Sequence, residues 1–129
     1  MKTVLLVDDE PLIRSLHEEM VISLGYAVIT AGDAESALSR VITGDAVDLV
    51  ITDYQMPGTD GIEFIRALRR VMPSLPVLMV SGVDDPVIDP QLGVFAYLHK
   101  PVGGAVFDRA IKAALAHAEM QHLLISAAK

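Results

Sequence analysis

Cysteine is absent from this chain of 129 residues. That removes thiol nucleophiles, cysteine-type zinc sites and disulfides, and it fits a reducing compartment. Also missing is any apolar run near the roughly 20 residues that a membrane-spanning helix needs, and the run at residues 4–7 is too short for the core of a signal peptide. The chain therefore reads as soluble and cytoplasmic, without membrane contact. Positive charge is scarce: Lys and Arg number 10 against 17 Asp and Glu, a formal net charge of −7. That balance argues against direct nucleic-acid binding, which needs a basic footprint to neutralise phosphates, and against an anionic membrane surface. Internal repeats, low-complexity stretches and linkers are lacking too, so one domain over residues 1–129 is the economical reading. What is abundant is apolar side chain, 52% of the residues, enough to exclude a disordered chain and to build a core.

The apolar residues fall into two kinds of pattern. Residues 3–8, 26–30, 49–53, 76–81 and 96–99 form short, β-branched or wholly apolar runs, as strands of a parallel sheet do. Between them lie helical stripes. Leu12, Ile13, Leu16, Met20 and Leu24 face inward on the first helix, with Arg14, His17, Glu18 and Glu19 largely on its other side. Ala34, Ala37, Leu38, Val41 and Ile42 line the second, Ile62, Ile65 and Leu68 the third, and Phe107, Ala110, Ile111, Ala114 and Leu115 the last. Pro11 suits the first turn of a helix, Asp33 and Asp60 suit N-caps, and Gly25 and Gly44 suit helix ends. Strands alternating with such helices predict right-handed crossovers and an α/β domain with a doubly wound parallel sheet. The exception is the stretch between Ser81 and Tyr97, rich in Asp, Pro and Gly, where at most one or two helical turns are expected.

In an open α/β sheet the carboxyl ends of the strands are where chemistry is done. Two strands here end in acid: residues 4–7 lead into Asp8-Asp9-Glu10, and residues 49–51 deliver Asp53 to a tip that Pro57 and Gly58 force to turn at once. Ser81 and Lys100 end two further strands. Three carboxylates at one edge repel by about 4 kcal/mol per pair at roughly 4 Å with an effective dielectric near 20, and a cation resolves this. Magnesium prefers one or two carboxylates with waters and phosphate oxygens. Asp8, Asp9 and Asp53 thus look like a half-filled Mg2+ site that a substrate completes, with Lys100 as cation and Ser81 as hydroxyl donor. Such groups form an electrostatic clamp for a transferring phosphoryl group, with a carboxylate as nucleophile.

Val7-Asp8-Asp9-Glu10, Asp53 with Met56-Pro57 and Asp60-Gly61, Ser81-Gly82, and Tyr97 ahead of Lys100-Pro101 together resemble the response-regulator receiver domain, over essentially the whole chain. The resemblance implies a flavodoxin-like sheet of strand order 2-1-3-4-5. It implies that Asp53 accepts a phosphoryl group from a sensor histidine kinase or a histidine phosphotransfer protein. Asp9 and Asp53 would bind Mg2+ directly, Gln55 through its backbone carbonyl and Asp8 through water. Ser81 and Lys100 would hold phosphoryl oxygens, Ser81 and Tyr97 would form a switch pair, and the Lys100-Pro101 bond would be cis. Output would be contact with a downstream protein target or a phosphate hand-off, from a chain either free-standing or cut from a hybrid kinase.

Departures matter as well. The interval from Ser81 to Lys100 looks short for the family's fourth helix, so that helix is expected to be short or missing, with a loop or single turn near residues 86–92. Gln55 and Val83 stand where the family tunes hydrolysis of the acyl phosphate. Two other classes compete: a pseudo-receiver acting as a binding module without phosphorylation, and a haloacid-dehalogenase-like phosphatase, which wants an aspartate where Gln55 stands. A flavodoxin-like cofactor binder lacks support, because no Gly, Ser and Thr-rich loop follows the first strand. His17, His117 and His122 are expected as solvated helix residues, and His99 points away from the site by strand alternation. The last helix runs beyond about residue 118 and carries a second apolar set, Met120, Leu123, Leu124 and Ile125. That set is either a partner surface, a homodimer through this helix included, or a tail that folds back or frays.

Overall fold

Five short strands, β1 (Thr3–Val7), β2 (Ala27–Ala31), β3 (Leu49–Asp53), β4 (Val77–Ser81) and β5 (Val94–His99), pair in parallel in the order β2-β1-β3-β4-β5. Helices α1 (Pro11–Ser23), α2 (Ala34–Ile42), α3 (Gly61–Val71) and α4 (Gly104–Ala127) cover the two faces. These elements come from a computed structural model that describes residues 1–56, 58, 60–82 and 90–127. The expected doubly wound sheet and its strand order are thus observed.

Strand alternation splits the core in two. Leu5, Val7, Val50, Val77 and Met79 face α2 and α3, meeting Ala37, Phe64, Ile65 and Leu68. Val4, Leu6, Leu49, Ile51, Leu78 and Val80 face the other way, onto Val21 of α1 and Phe107, Ile111 and Ala114 of α4. The strands β3 and β4 are buried at every residue, which is why their sequences read as continuous apolar runs rather than alternating ones.

Helix starts and stops follow local chemistry. The side chains of Asp33 and Asp60 accept from the backbone N–H groups of Ser36 and Glu63, at 2.7 and 2.8 Å, and so cap α2 and α3. After α1 and α2 the chain turns through Gly25 and Gly44, both at positive φ.

Several expectations are corrected. On α1 the buried residues are His17 and Val21, whereas Leu12 is 85% and Leu16 47% exposed. The face turned to the core passes through position 17 because its ring packs edge-on against Phe107, with centroids 5.0 Å apart and planes at 77°. His17 is therefore a core histidine, not a solvated one. His117 and His122 are exposed, though the ring of His117 lies 5.3 Å from that of Phe95. Ile42, placed inward by periodicity, is 63% exposed, since it is the last helical residue of α2. Strand β5 begins at Val94, two residues earlier than its sequence suggests; an irregularity opposite Val77 and Leu78 lets Phe95 stand between two paired residues.

Between β4 and β5 the structure describes a single 3-10 turn, Pro90–Leu92. The rest of the loop or turn expected near residues 86–92 lies outside the described residues, as does Val83. Among the described residues the fourth α-helix is α4, which follows β5. Arg69 ties the turn to the domain, donating to the carbonyls of Leu92 (2.8 Å), Gly93 (3.1 Å), Met72 (3.3 Å) and Leu75 (2.5 Å).

Candidate functional site

Parallel pairing in this order brings the carboxyl ends of β1, β3, β4 and β5 to one edge, and the polar residues of the chain's strand ends gather there. The register sets Val7 beside Thr52 and Asp53 beside Val80, so Asp8 and Asp53 leave neighbouring strands side by side. Both are buried, Asp8 at 3% and Asp53 at 6% relative exposure. Ser81, at the tip of β4, is buried as well and accepts from the backbone N–H of Lys100 through its carbonyl at 2.9 Å. That bond fixes where the Lys100 side chain starts. The following peptide, Lys100-Pro101, is cis.

Lys100 reaches back over the sheet edge. Its Nζ donates to Asp53 Oδ2 at 3.0 Å and lies 3.5 Å from Asp8 Oδ2 and 3.6 Å from Glu10 Oε1. Asp8, Glu10 and Asp53 each place a carboxylate oxygen within 4.8 Å of the others. The loop that carries them is itself braced. Asp8 Oδ1 accepts from the Glu10 backbone N–H at 2.9 Å, and Arg14 Nη1 donates to the Asp8 carbonyl at 2.8 Å.

Charge and burial pull against each other here. Burial raises the Asp53 carboxyl above its ordinary range, and the Lys100 ammonium only partly offsets this. Burial would lower the Lys100 ammonium, but the bond it donates to Asp53 and the charges of Asp53, Asp8 and Glu10 more than reverse this and hold the amine protonated. One ammonium among three carboxylates leaves two negative charges uncompensated, the charge of one divalent cation. The donors are all oxygens, the set preferred by hard ions such as Mg2+ and Ca2+ rather than by zinc or copper. The acidic cluster can therefore hold a metal ion.

A cavity of about 390 Å³ opens over the cluster, lined by Asp9, Glu10, Asp53, Gln55, Met56, Gly82 and Lys100. Of the residues expected at the site, Asp8, Asp53 and Lys100 converge directly, while Asp9 and Gln55 line the cavity. Asp9 is not in the converging cluster; Glu10 stands there instead. Its backbone is extended at the start of α1, and its carboxylate is turned to Lys100. Tyr97 is 45% exposed on β5, and partial burial raises its phenol above the usual value.

Sequence reasoning missed two residues. Glu10 was visible only as the third member of an acidic run, and Arg14 gave no signal, since its role is to bond a backbone carbonyl six residues earlier. A larger cavity of about 540 Å³ lies at the opposite end of the sheet, between Phe95, Arg69 and the tail of α4. Its lining holds no carboxylate among the described residues, unlike the cluster around Asp53.

Gly61 completes the geometry. Its N–H donates to the Tyr54 carbonyl at 2.8 Å, and a Cβ there would fall well inside contact distance of the carbonyl oxygens of Asp53 and Tyr54. Only glycine lets α3 start so close beneath the tip that carries Asp53.

Known proteins resemble this chain in sequence and in fold. Residues 4–112 match the family described as response regulator receiver domain. The transcriptional regulatory protein GlrR of Escherichia coli is 38% identical over 114 residues, covering 86% of this chain and 26% of that protein. The alkaline phosphatase synthesis transcriptional regulatory protein PhoP of Bacillus subtilis is 36% identical over 122 residues, covering 92% of this chain and 50% of that protein. The chain thus spans between a quarter and a half of the length of these relatives. Among solved structures, a receiver domain protein from Clostridium thermocellum superposes with a TM-score of 0.86 at 26% identity, covering 94% of this chain and 99% of its own. The chemotaxis protein CheY4 of Vibrio cholerae superposes at 0.82 and 29% identity, covering 89% and 99%. The chain belongs to the response regulator receiver domain family of two-component signalling systems.

Proposed function

We propose that this domain is a phosphoacceptor switch in which Asp53 takes a phosphoryl group from a phosphohistidine on a sensor kinase or phosphotransfer protein. The observation that carries the reading is the 3.0 Å contact between Lys100 Nζ and a buried Asp53 carboxylate at the floor of an open cavity. In the transfer, an Asp53 oxygen forms the new O–P bond as the N–P bond of the donor breaks, and the electron pair returns to the imidazole. Burial makes the Asp53 carboxylate more basic than in water, hence a better nucleophile. Lys100, already protonated and in place, stabilises charge on the phosphoryl oxygens as it spreads. Ser81 would supply a hydroxyl to the same oxygens, and with Tyr97 would report the event to the β5 surface.

Asp9, Asp53 and the Gln55 carbonyl would hold Mg2+, with Asp8 acting through water and Glu10 as an additional acidic neighbour. When bound, the ion neutralises phosphoryl oxygens as they approach three carboxylates. Output would then pass to a downstream protein or to another phosphate acceptor, in the cytoplasm. The acidic charge argues against this domain itself touching DNA, although relatives of two to four times its length are named transcriptional regulators.

Incubation with acetyl phosphate and Mg2+ tests the reading. The parent should gain the mass of one phosphoryl group, and Asp53→Asn should gain none. An unmodified parent under conditions that phosphorylate an authentic receiver would overturn it.

A further inference from the structure

Helix α4 carries two apolar faces. Phe107, Ile111 and Ala114 are buried against the sheet. At about 100° per residue, Val106, Ala113, Ala116, Met120, Leu123 and Ala127 fall on the opposite side, and all six are exposed. With Arg109 they recur at alternating steps of three and four, the spacing of a seam between two helices. No acidic residue lies on the stripe, although acids number 17 in the chain.

We propose that this stripe pairs two copies of the chain, α4 against α4, in antiparallel orientation. The flanking charges select both the occupant and its direction. Lys112 and Glu119 lie on one flank of the seam, seven residues apart and exposed. In an antiparallel pair this flank meets itself. A two-fold axis between positions 113 and 116 then sets Lys112 against Glu119 of the second copy, and Glu119 against Lys112 of the second copy. The same register puts Ala113 against Ala116 at the centre, where small side chains let the backbones approach, and Val106 against Leu123 at both ends. Arg109 lays its aliphatic stem along Met120 and keeps its charge at the rim. Sliding the pair by one seven-residue step opposes Glu119 to Glu119 or Lys112 to Lys112. A parallel pair sets Lys112 against His117 and Glu119 against Leu124, with no ion pair. Lys112 now bonds Asp108 of its own helix at 3.0 Å, an exposed contact that it can share. The pairing does not depend on the chemistry at Asp53.

Sedimentation across protein concentration is the first test. The parent should show a monomer–dimer equilibrium, Lys112→Glu should weaken it about tenfold, and Lys112→Glu with Glu119→Lys should restore it. All of these positions are exposed, so circular dichroism should be unchanged. Because the chain lacks cysteine, mild oxidation reads the register. Ala113→Cys chains mixed with Ala116→Cys chains should form mixed disulfide dimers faster than either forms with itself. A monomer at every concentration, a dimer indifferent to Lys112→Glu, or preferential Ala113→Cys self-linking, which marks a parallel pair, would each overturn the proposal.

Discussion

Lys100 and Asp53, 47 residues apart in sequence and at the carboxyl ends of strands separated by β4, meet at 3.0 Å, with Asp8 and Glu10 closing round the same ammonium. The contact is a counter-ion for a buried carboxylate, and it also occupies space and charge that a phosphoryl oxygen or a metal ion would use. Both consequences can be measured.

Removing the amine should separate metal binding from phosphotransfer. In Lys100→Met the cluster loses its one cation, so Mg2+ affinity by calorimetric titration should rise about tenfold, a gain of roughly 1.4 kcal/mol from removing one like charge nearby. Acyl phosphate formation should fall at least as steeply. Equal affinity in parent and variant would show that Lys100 does not compete with the ion.

Asp53→Asn should stabilise the fold while it abolishes the acceptor. Burial penalises the charged carboxylate, and the neighbouring Asp8 charge adds to the load. The variant should gain about 1 kcal/mol, or roughly 4 °C in Tm, in metal-free buffer near neutral pH. A lower Tm than the parent would mean that the Lys100 bond outweighs the cost of burying the charge.

Gly61→Ala should do harm in two ways. The added methyl meets the Asp53 and Tyr54 carbonyls, so the tip of β3 or the start of α3 must shift. A loss of about 2 kcal/mol is expected, read as a lower urea midpoint with an unchanged slope, together with slower phosphorylation. An alanine variant with parental midpoint and rate would show that the loop yields freely.

His17 gives the domain a pH signature. Burial lowers its imidazole below the ordinary value of 6.5, with the Asp8 charge opposing and the Lys100 charge assisting. The unfolded chain therefore takes up a proton at higher pH than the native one. The His17 contribution is complete above about pH 6.5 and is lost as pH falls through the lower native value. Tm measured from pH 8 to 5 should fall more in the parent than in His17→Leu, and parallel curves would remove this role.

Residues 49–53 and 77–81 could be read as buried parallel strands because both of their faces are apolar, and that in turn placed Asp53 and Ser81 at a shared edge. Lys100 and Asp8 were legible for the same reason: strand tips in a parallel sheet have one destination. That Glu10 rather than Asp9 joins Asp8 and Asp53 was not legible, since both are acids and residue type alone does not tell them apart. Nor was the burial of His17, which depends on Phe107, 90 residues further along. Leucines at positions 12 and 16 outweighed a histidine in the helical pattern, yet only packing fixes the rotation of a helix. The early start of β5 was hidden by Gly93, whose positive φ turns the chain straight into the strand.

The most direct measurement is chemical trapping of the acyl phosphate. The domain is phosphorylated with Mg2+ and a phosphohistidine donor, reduced with borohydride, and mapped by tandem mass spectrometry. The expected product is homoserine at position 53, where reduction has replaced the phosphorylated carboxyl; an intact Asp53, or homoserine at Asp8 or Asp9 instead, would contradict the account.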